Sequence, residues 1–264
     1  MHIKQQPINA GTLLAAKQQA RPHVWLTAYD AHSAAIAEAG GVDVLLVGDS
    51  LGMVSLGFDS TLPVTLEQMI HHAAAVVRGR KKAWVVCDLP FGSYQSSPQQ
   101  ALESSVKVLQ QTGCDAVKLE GGQHMAETIR FLSERGIAVV AHIGLTPQSV
   151  KKIGGFKRQG THEASAQAIF EDAQYVADAG AVAVVLECIP EVLATRITQN
   201  ISIPTVGIGA GSQCDGQVLV GHDLLGLNES NPPFAPAYTN IRQQMIDTIA
   251  QWSDDVRQGK KTCV

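Results

Sequence analysis

Eight short apolar runs, each separated from the next by a segment of helical periodicity, constrain this chain more than any other feature. They span residues 24–30, 42–49, 83–89, 116–120, 137–143, 182–188, 204–208 and 217–220. Most are continuously apolar rather than alternating, the pattern of parallel strands covered on both faces. One helical pattern follows Thr65, which forms a capping-box pair with Gln68. Others cover 98–111, 124–134 and 164–179. Gly40, Gly113, Gly136 and Gly180 fall where helices should end before the next strand. Regular alternation of this kind predicts a parallel sheet, and eight units predict its closure. The alternative is an open doubly wound sheet, which would normally carry a Gly-rich phosphate loop after its first strand. Here that strand ends in Thr27-Ala-Tyr-Asp30, without glycine. We therefore expect an α/β protein, a single (β/α)8 TIM barrel over residues 1–264, with an extra N-terminal segment and a C-terminal helix over 236–257.

A chain of 264 residues buries roughly 70–75% of its unfolded surface and needs no disulfide or structural metal to fold. The net charge of −4 is mild, and no basic stripe with interleaved aromatics argues for nucleic acid. An anionic substrate would have to be attracted locally, at its site. The five cysteines (Cys87, Cys114, Cys188, Cys214, Cys263) form no C-x-x-C pair. An odd, unframed set predicts a reducing compartment. The first 21 residues lack a signal-like apolar stretch, and no run approaches the ~18 residues of a membrane span. The expectation is a cytoplasmic protein with no membrane partner.

Strands buried on both faces should be apolar to their ends, yet several of these finish in ionisable residues. Strand two ends in Gly48-Asp49-Ser50, strand three in Asp88 and strand six in Glu187. Strand four carries Lys118 and Glu120, and strand five His142. In a barrel these ends open on one face, where barrel enzymes place their active sites. Each residue alone has a plain structural reading. A strand-end Asp is commonly a helix cap or turn residue, His142 a satisfied core histidine, Glu187 half of an ion pair. Together, Asp49, Asp88 and Glu120 lie on neighbouring strands and would repel one another unless something cationic sits among them. Oxygen ligands select a hard cation, usually Mg²⁺. Lys118 is a rival neutraliser on the same strand face as Glu120, and a lysine and a metal together fit better than either alone. Glu187, following an apolar run, should be partly desolvated and so suited to act as a base. The glycines of 207–211 could form an anion-binding nest. His71 and His72 read as structural.

The strand-end motifs, taken as a set, resemble ketopantoate hydroxymethyltransferases. The stretches Leu-Thr-Ala-Tyr-Asp30, Val-Gly-Asp49-Ser50-Leu-Gly-Met53 and Asp59-Ser-Thr-Leu-Pro-Val-Thr65 carry the first third of the match. Asp88-Leu-Pro-Phe91, Val-Lys118-Leu-Glu120-Gly-Gly122, His142-Ile-Gly-Leu-Thr-Pro-Gln148 and Gly154-Gly-Phe-Lys157 continue it. Leu-Glu187-Cys-Ile-Pro190, Gly207-Ile-Gly-Ala-Gly211, Asp215-Gly-Gln217 and His222-Asp223 complete it. The resemblance implies transfer of a hydroxymethyl group from 5,10-methylenetetrahydrofolate to 3-methyl-2-oxobutanoate, giving 2-dehydropantoate on the route to coenzyme A. It implies Mg²⁺ at Asp49, Asp88 and Glu120, and keto-acid contacts from Asp49, Ser50, Asp88 and Lys118, with His142 nearby. It implies Glu187 as proton acceptor, and a homo-oligomer, often a decamer. Departures are few: Pro-Pro-Phe-Ala-Pro-Ala-Tyr238 lacks a lysine common before Phe-Ala, Ala141 precedes His142 in place of glycine, and Arg158 stands where an uncharged residue is expected. Two rival readings share the barrel: a lyase or mutase of phosphoenolpyruvate-like acids, which also uses Mg²⁺ and strand-end acids, and a non-catalytic scaffold, which would need no such cluster.

Overall fold

The apolar runs pair in chain order, each parallel to its neighbour, and close into a barrel. The computed structural model describes residues 7–260, so Cys263 lies outside the described residues. The strands are β1 (His23–Thr27), β2 (Val44–Val47), β3 (Trp84–Asp88), β4 (Ala116–Glu120), β5 (Val139–Gly144), β6 (Ala183–Glu187), β7 (Thr205–Ile208) and β8 (Gly216–Leu219). The helices of the larger part of the chain are α1 (Ala10–Gln18), α2 (Ala31–Ala39), α3 (Leu51–Val54), α4 (Leu66–Gly79), α5 (Pro98–Thr112), α6 (Ala126–Ser133), α7 (Val150–Ile153), α8 (Glu163–Asp178) and α9 (Glu191–Asn200). Contacts divide the chain into two compact units, Met1–Val218 and Leu219–Val264. The second contains α10 (Gly221–Leu225) and α11 (Ile241–Arg257). Among the described residues no helix is long and apolar enough to cross a membrane.

Several boundaries differ from the sequence reading, each for a local reason. β1 stops at Thr27 rather than Asp30, because Asp30 caps α2. Its Oδ1 accepts hydrogen bonds from the backbone N–H groups of His32 (2.7 Å) and Ser33 (2.8 Å), which also hold its carboxyl below the usual range despite partial burial. β2 stops at Val47, and the chain turns through Gly48 into α3. The helix expected over 124–134 begins as a 3₁₀ turn, Gln123–Met125, before α6. The C-terminal helix starts at Ile241, where the Asn240 side chain accepts from Gln243 N–H at 3.0 Å. The Thr65–Gln68 capping box is present in both directions.

Alternation along each strand sorts side chains into two sets. One set faces outward and packs against the helices: Leu45 and Val47 on β2, Val85 and Cys87 on β3, Val117 and Leu119 on β4, Val139 and Ala141 on β5, Val184 and Leu186 on β6. The other fills the lumen: Trp25, Val44, Leu46, Trp84, Val86, Ala116, Val140, Ala183, Val185, Val206 and Val218. Leu13 of α1 joins this second cluster, so the N-terminal segment closes the lumen. Trp25 and Trp84 meet edge to face, with centroids 6.3 Å apart. Each such large side chain, removed from water, contributes about 1.5–3 kcal/mol before entropy is counted.

In the second unit, α11 buries none of its side chains. Met245, Ile249, Trp252 and Val256 recur at three- and four-residue spacing on it and are exposed.

Candidate active site

The lumen-facing set continues past the apolar layers. After Trp84 and Val86 comes Asp88, after Ala116 come Lys118 and Glu120, after Val140 comes His142, and after Ala183 and Val185 comes Glu187. The strand register then decides the pairs, setting Asp88 beside Lys118 and Glu120 beside His142. Asp49 arrives differently, beyond the end of β2. Its backbone N–H donates to Asp88 Oδ2 at 3.1 Å.

These groups form one buried ionic network. Lys118 Nζ pairs with Asp88 Oδ1 at 2.8 Å and lies 3.5 Å from His142 Nδ1, which is also 3.5 Å from Glu120 Oε1. The other ring nitrogen, Nε2, is 3.0 Å from Glu187 Oε2. Neither Asp88 Oδ1 nor His142 Nε2 has an aligned hydrogen-bond partner, so both contacts are close ion pairs poor in direction. The Glu187 side chain keeps 15% exposure. Among the described residues its ionic partner is His142, not an Arg or Lys.

Electrostatics in this network are strongly biased. Burial, then the neighbouring charges of Asp88 and Glu120, push the Asp49 carboxyl up to about 8, against the opposing pull of Lys118 and the Gln148 hydrogen bond. Burial works against the Lys118 ammonium, but Asp88, Asp49 and Glu120 outweigh it and raise its pKa, so the charge persists. Burial and Lys118 likewise oppose charging of His142. The close carboxylates of Glu120 and Glu187 prevail and lift its pKa to about 9. Burial and the neighbouring acids both act against the charged form of Asp49, and a positive charge beside it would reverse them.

Two residues absent from the sequence-based site bind it together. Gln148 is buried between α7 and the rim. Its Nε2 donates to Asp49 Oδ2 and to the Leu89 carbonyl, each at 2.9 Å, and its backbone N–H donates to Glu120 Oε2 at 3.0 Å. Its Oε1 accepts from the Tyr94 hydroxyl at 2.7 Å, and that hydroxyl accepts from the Glu120 N–H at 3.1 Å. Gln148 belongs to the His142–Gln148 motif, so a signal existed. Nothing local to Tyr94 marks it. Tyr29 places its hydroxyl 2.9 Å from Ser50 Oγ, and its carbonyl lies 2.6 Å from His72 Nδ1 on α4. Gly144 is required beside Glu187: its φ is +91°, and a Cβ there would lie 2.3 Å from the Glu187 carbonyl oxygen.

The glycine-rich turn of 207–211 serves the fold. Glu191 Oε1 accepts from the Ser212 N–H and hydroxyl, and a Cβ on Gly211 would collide with that Glu191 side chain. An internal carboxylate thus takes the place that a nest would offer to an external anion.

Among the described residues no three His, Cys, Asp or Glu side chains stand close enough to cage a metal unaided. The carboxylates are instead interleaved with Lys118 and Gln148.

The closed barrel with a dense ionic centre at the C-terminal ends of its strands defines a (β/α)8-barrel enzyme. Solved structures of this architecture share little sequence with it. A phosphonomutase-like protein of Burkholderia cenocepacia superposes with a TM-score of 0.66 at 15% identity, covering 93% of this chain and 98% of that one. A phosphonopyruvate hydrolase gives 0.63 at 14%, covering 97% and 89%. These show the fold alone. The sequence profile of the ketopantoate hydroxymethyltransferase family matches residues 7–261. The chain is 56% identical over 247 residues to the 3-methyl-2-oxobutanoate hydroxymethyltransferase of Synechocystis sp., covering 93% of this chain and 95% of that one. It is 52% identical over 257 residues to the enzyme of the same name from Bartonella quintana, covering 97% and 93%. The chain belongs to the ketopantoate hydroxymethyltransferase family.

Proposed function

We propose that this enzyme transfers a hydroxymethyl group from 5,10-methylenetetrahydrofolate to 3-methyl-2-oxobutanoate, giving 2-dehydropantoate and tetrahydrofolate. The observation that carries this is the Asp88–Lys118, Glu120–His142–Glu187 network on the lumen-facing positions of four adjacent strands. The reaction must remove a proton from a hindered carbon beside a ketone and stabilise the charge left behind. Glu187, partly exposed and held against the His142 ring, accepts that proton. A positioned base contributes ~10²–10⁴-fold. His142, charged at neutral pH, balances Glu187 and Glu120 before the transfer. Lys118, with the Ser50 hydroxyl oriented by Tyr29, attracts the substrate carboxylate.

The residues fit Mg²⁺. Asp49 is raised to about 8 by burial and then by the charges of Asp88 and Glu120, which Lys118 only partly offsets, and Asp88 Oδ1 has no aligned hydrogen bond. Mg²⁺ keeps several of its waters and needs only one or two carboxylates, so no closed cage is required. Asp49, Asp88 and Glu120 would hold it, and when bound the ion supplies Lewis-acid stabilisation of the keto oxygen. We further infer a homo-oligomer, the decamer of the family resemblance, supported by the uncovered apolar stripe of α11. A cytoplasmic setting is supported by four free, buried cysteines among the described residues.

The test is product formation from 3-methyl-2-oxobutanoate with and without the folate. The reading expects strict folate dependence, and turnover of the keto acid without folate overturns it.

A further inference from the structure

The segment between β5 and α8 crosses the rim and carries a charge opposite to that of the chain. No Asp or Glu occurs between Glu134 and Glu163, while Lys151, Lys152, Lys157 and Arg158 all do, in a protein of net charge −4. Lys151, Lys152 and Lys157 are exposed, and none of them makes an ion pair among the described residues. Arg158 lies beside the Cys188 thiol, the residue after Glu187. Phe156, between the lysines, is 55% exposed.

This segment is pinned to the site at both ends. At its start, Leu145 N–H donates to the Glu187 carbonyl at 2.8 Å, and Gln148 holds Asp49 and Glu120. At its end, Gln159 N–H donates to the Cys188 carbonyl at 2.9 Å. The four cations therefore lie on a short segment that the site anchors at both ends, beginning three residues beyond Gln148 and ending within two residues of Gln159. The keto acid is too small to reach from the buried network to exposed lysines. A folate is not: its reacting carbon lies at the pterin end, and its glutamate carboxylates are at the far end of an extended molecule.

We propose that the segment over residues 150–158 binds the anionic glutamate tail of the folate co-substrate, with Lys151, Lys152 and Lys157 facing the carboxylates and Phe156 offering its ring to the aryl group. The inference rests on the reading given under Proposed function. Unpaired cations of this kind both steer and hold an anion, and salt weakens both effects. Each added γ-linked glutamate brings one more carboxylate, so affinity rises with tail length.

The experiment compares KM for 5,10-methylenetetrahydrofolate bearing one and three glutamates, at low and high salt. It uses the wild-type enzyme, the triple variant K151Q/K152Q/K157Q and the triple Arg variant K151R/K152R/K157R. Calorimetric binding of tetrahydrofolate triglutamate is followed in parallel. The wild type should prefer the triglutamate, and salt should erase the preference. The Gln variant should raise KM for the triglutamate roughly tenfold, leaving kcat and the keto-acid KM unchanged, while the Arg variant keeps the preference. A wild-type KM indifferent to tail length overturns the inference, as does a Gln variant that retains the preference or one whose keto-acid KM rises instead. Turnover without tail preference defeats this inference alone, whereas no turnover with any folate defeats the reading on which it rests as well.

Discussion

On β3 the lumen-facing positions read Trp84, Val86, Asp88, and on β6 they read Ala183, Val185, Glu187. The same strands, with the same alternation, thus pass from an apolar lower lumen sealed by Leu13 and two tryptophans to an upper lumen of acids, a lysine and a histidine. The lower half stabilises the fold by removing apolar surface from water. The upper half works against it, because buried charges cost more to desolvate than most pairings return. The difference teaches where function is kept: one strand residue separates a layer that any well-packed apolar set could fill from a layer in which each group answers a particular neighbour.

The sharpest way to break this comparison is Glu187→Gln. We expect exchange of the substrate C3 proton with solvent to fall by ~10²–10⁴-fold, with keto-acid affinity and the urea unfolding midpoint nearly unchanged. Unchanged exchange, followed by NMR, would remove Glu187 as the base. The reciprocal substitution is Trp84→Ala in the lower half. It should cost about 3–5 kcal/mol of stability in urea unfolding, while KM for the keto acid on the folded enzyme stays within experimental error. A large KM change would mean that the layers are coupled.

Gln148→Ala tests the seam between them. It leaves the Leu89 carbonyl without its side-chain donor and the Tyr94 hydroxyl without its acceptor, at about 1–3 kcal/mol, and it frees Asp49. Stability and keto-acid affinity should fall together, and a loss of stability alone would make Gln148 a packing residue only. The smallest effect concerns the base of the lumen. His23 is buried with its Nδ1 accepting from Trp25 Nε1 at 2.8 Å, and burial lowers its pKa from 6.5 against the pull of Asp215 and Asp43. As pH falls below 6.5, the unfolded chain takes up a proton that the native one resists, so stability declines; above 6.5 this contribution is constant. His23→Gln should shallow that acid limb in denaturation curves, and an identical limb would exclude His23 as its source.

Much of this was legible in sequence because it is local. Asp88, Lys118, Glu120, His142 and Glu187 announce themselves as ionisable residues closing apolar runs, and strand alternation carries them into the lumen. Asp30 looked the same and is a helix cap, since the choice between strand end and cap depends on where the next helix begins. Asp49 was found, but it arrives through a turn rather than along a strand face. Gln148 and Tyr94 could not be placed, because their roles exist only through long-range contacts: Gln148 reaches Asp49 across 99 residues of chain, and Tyr94 reaches Gln148 across 54. The short helices α3 and α7 were also invisible, being too brief to show a period.

The sorting of side chains between lumen and helix shell has a genetic consequence. Along β3, β4, β5 and β6, alternate codons answer to separate demands, one set to the reaction and the barrel's filling, the other to the surrounding helices. Insertion or deletion of one residue within such a strand exchanges the two sets at once, sending Asp88 or Glu120 toward the helices and Cys87 or Leu119 into the reaction chamber. The reading frame of side chains within each strand is therefore what this gene can least afford to shift.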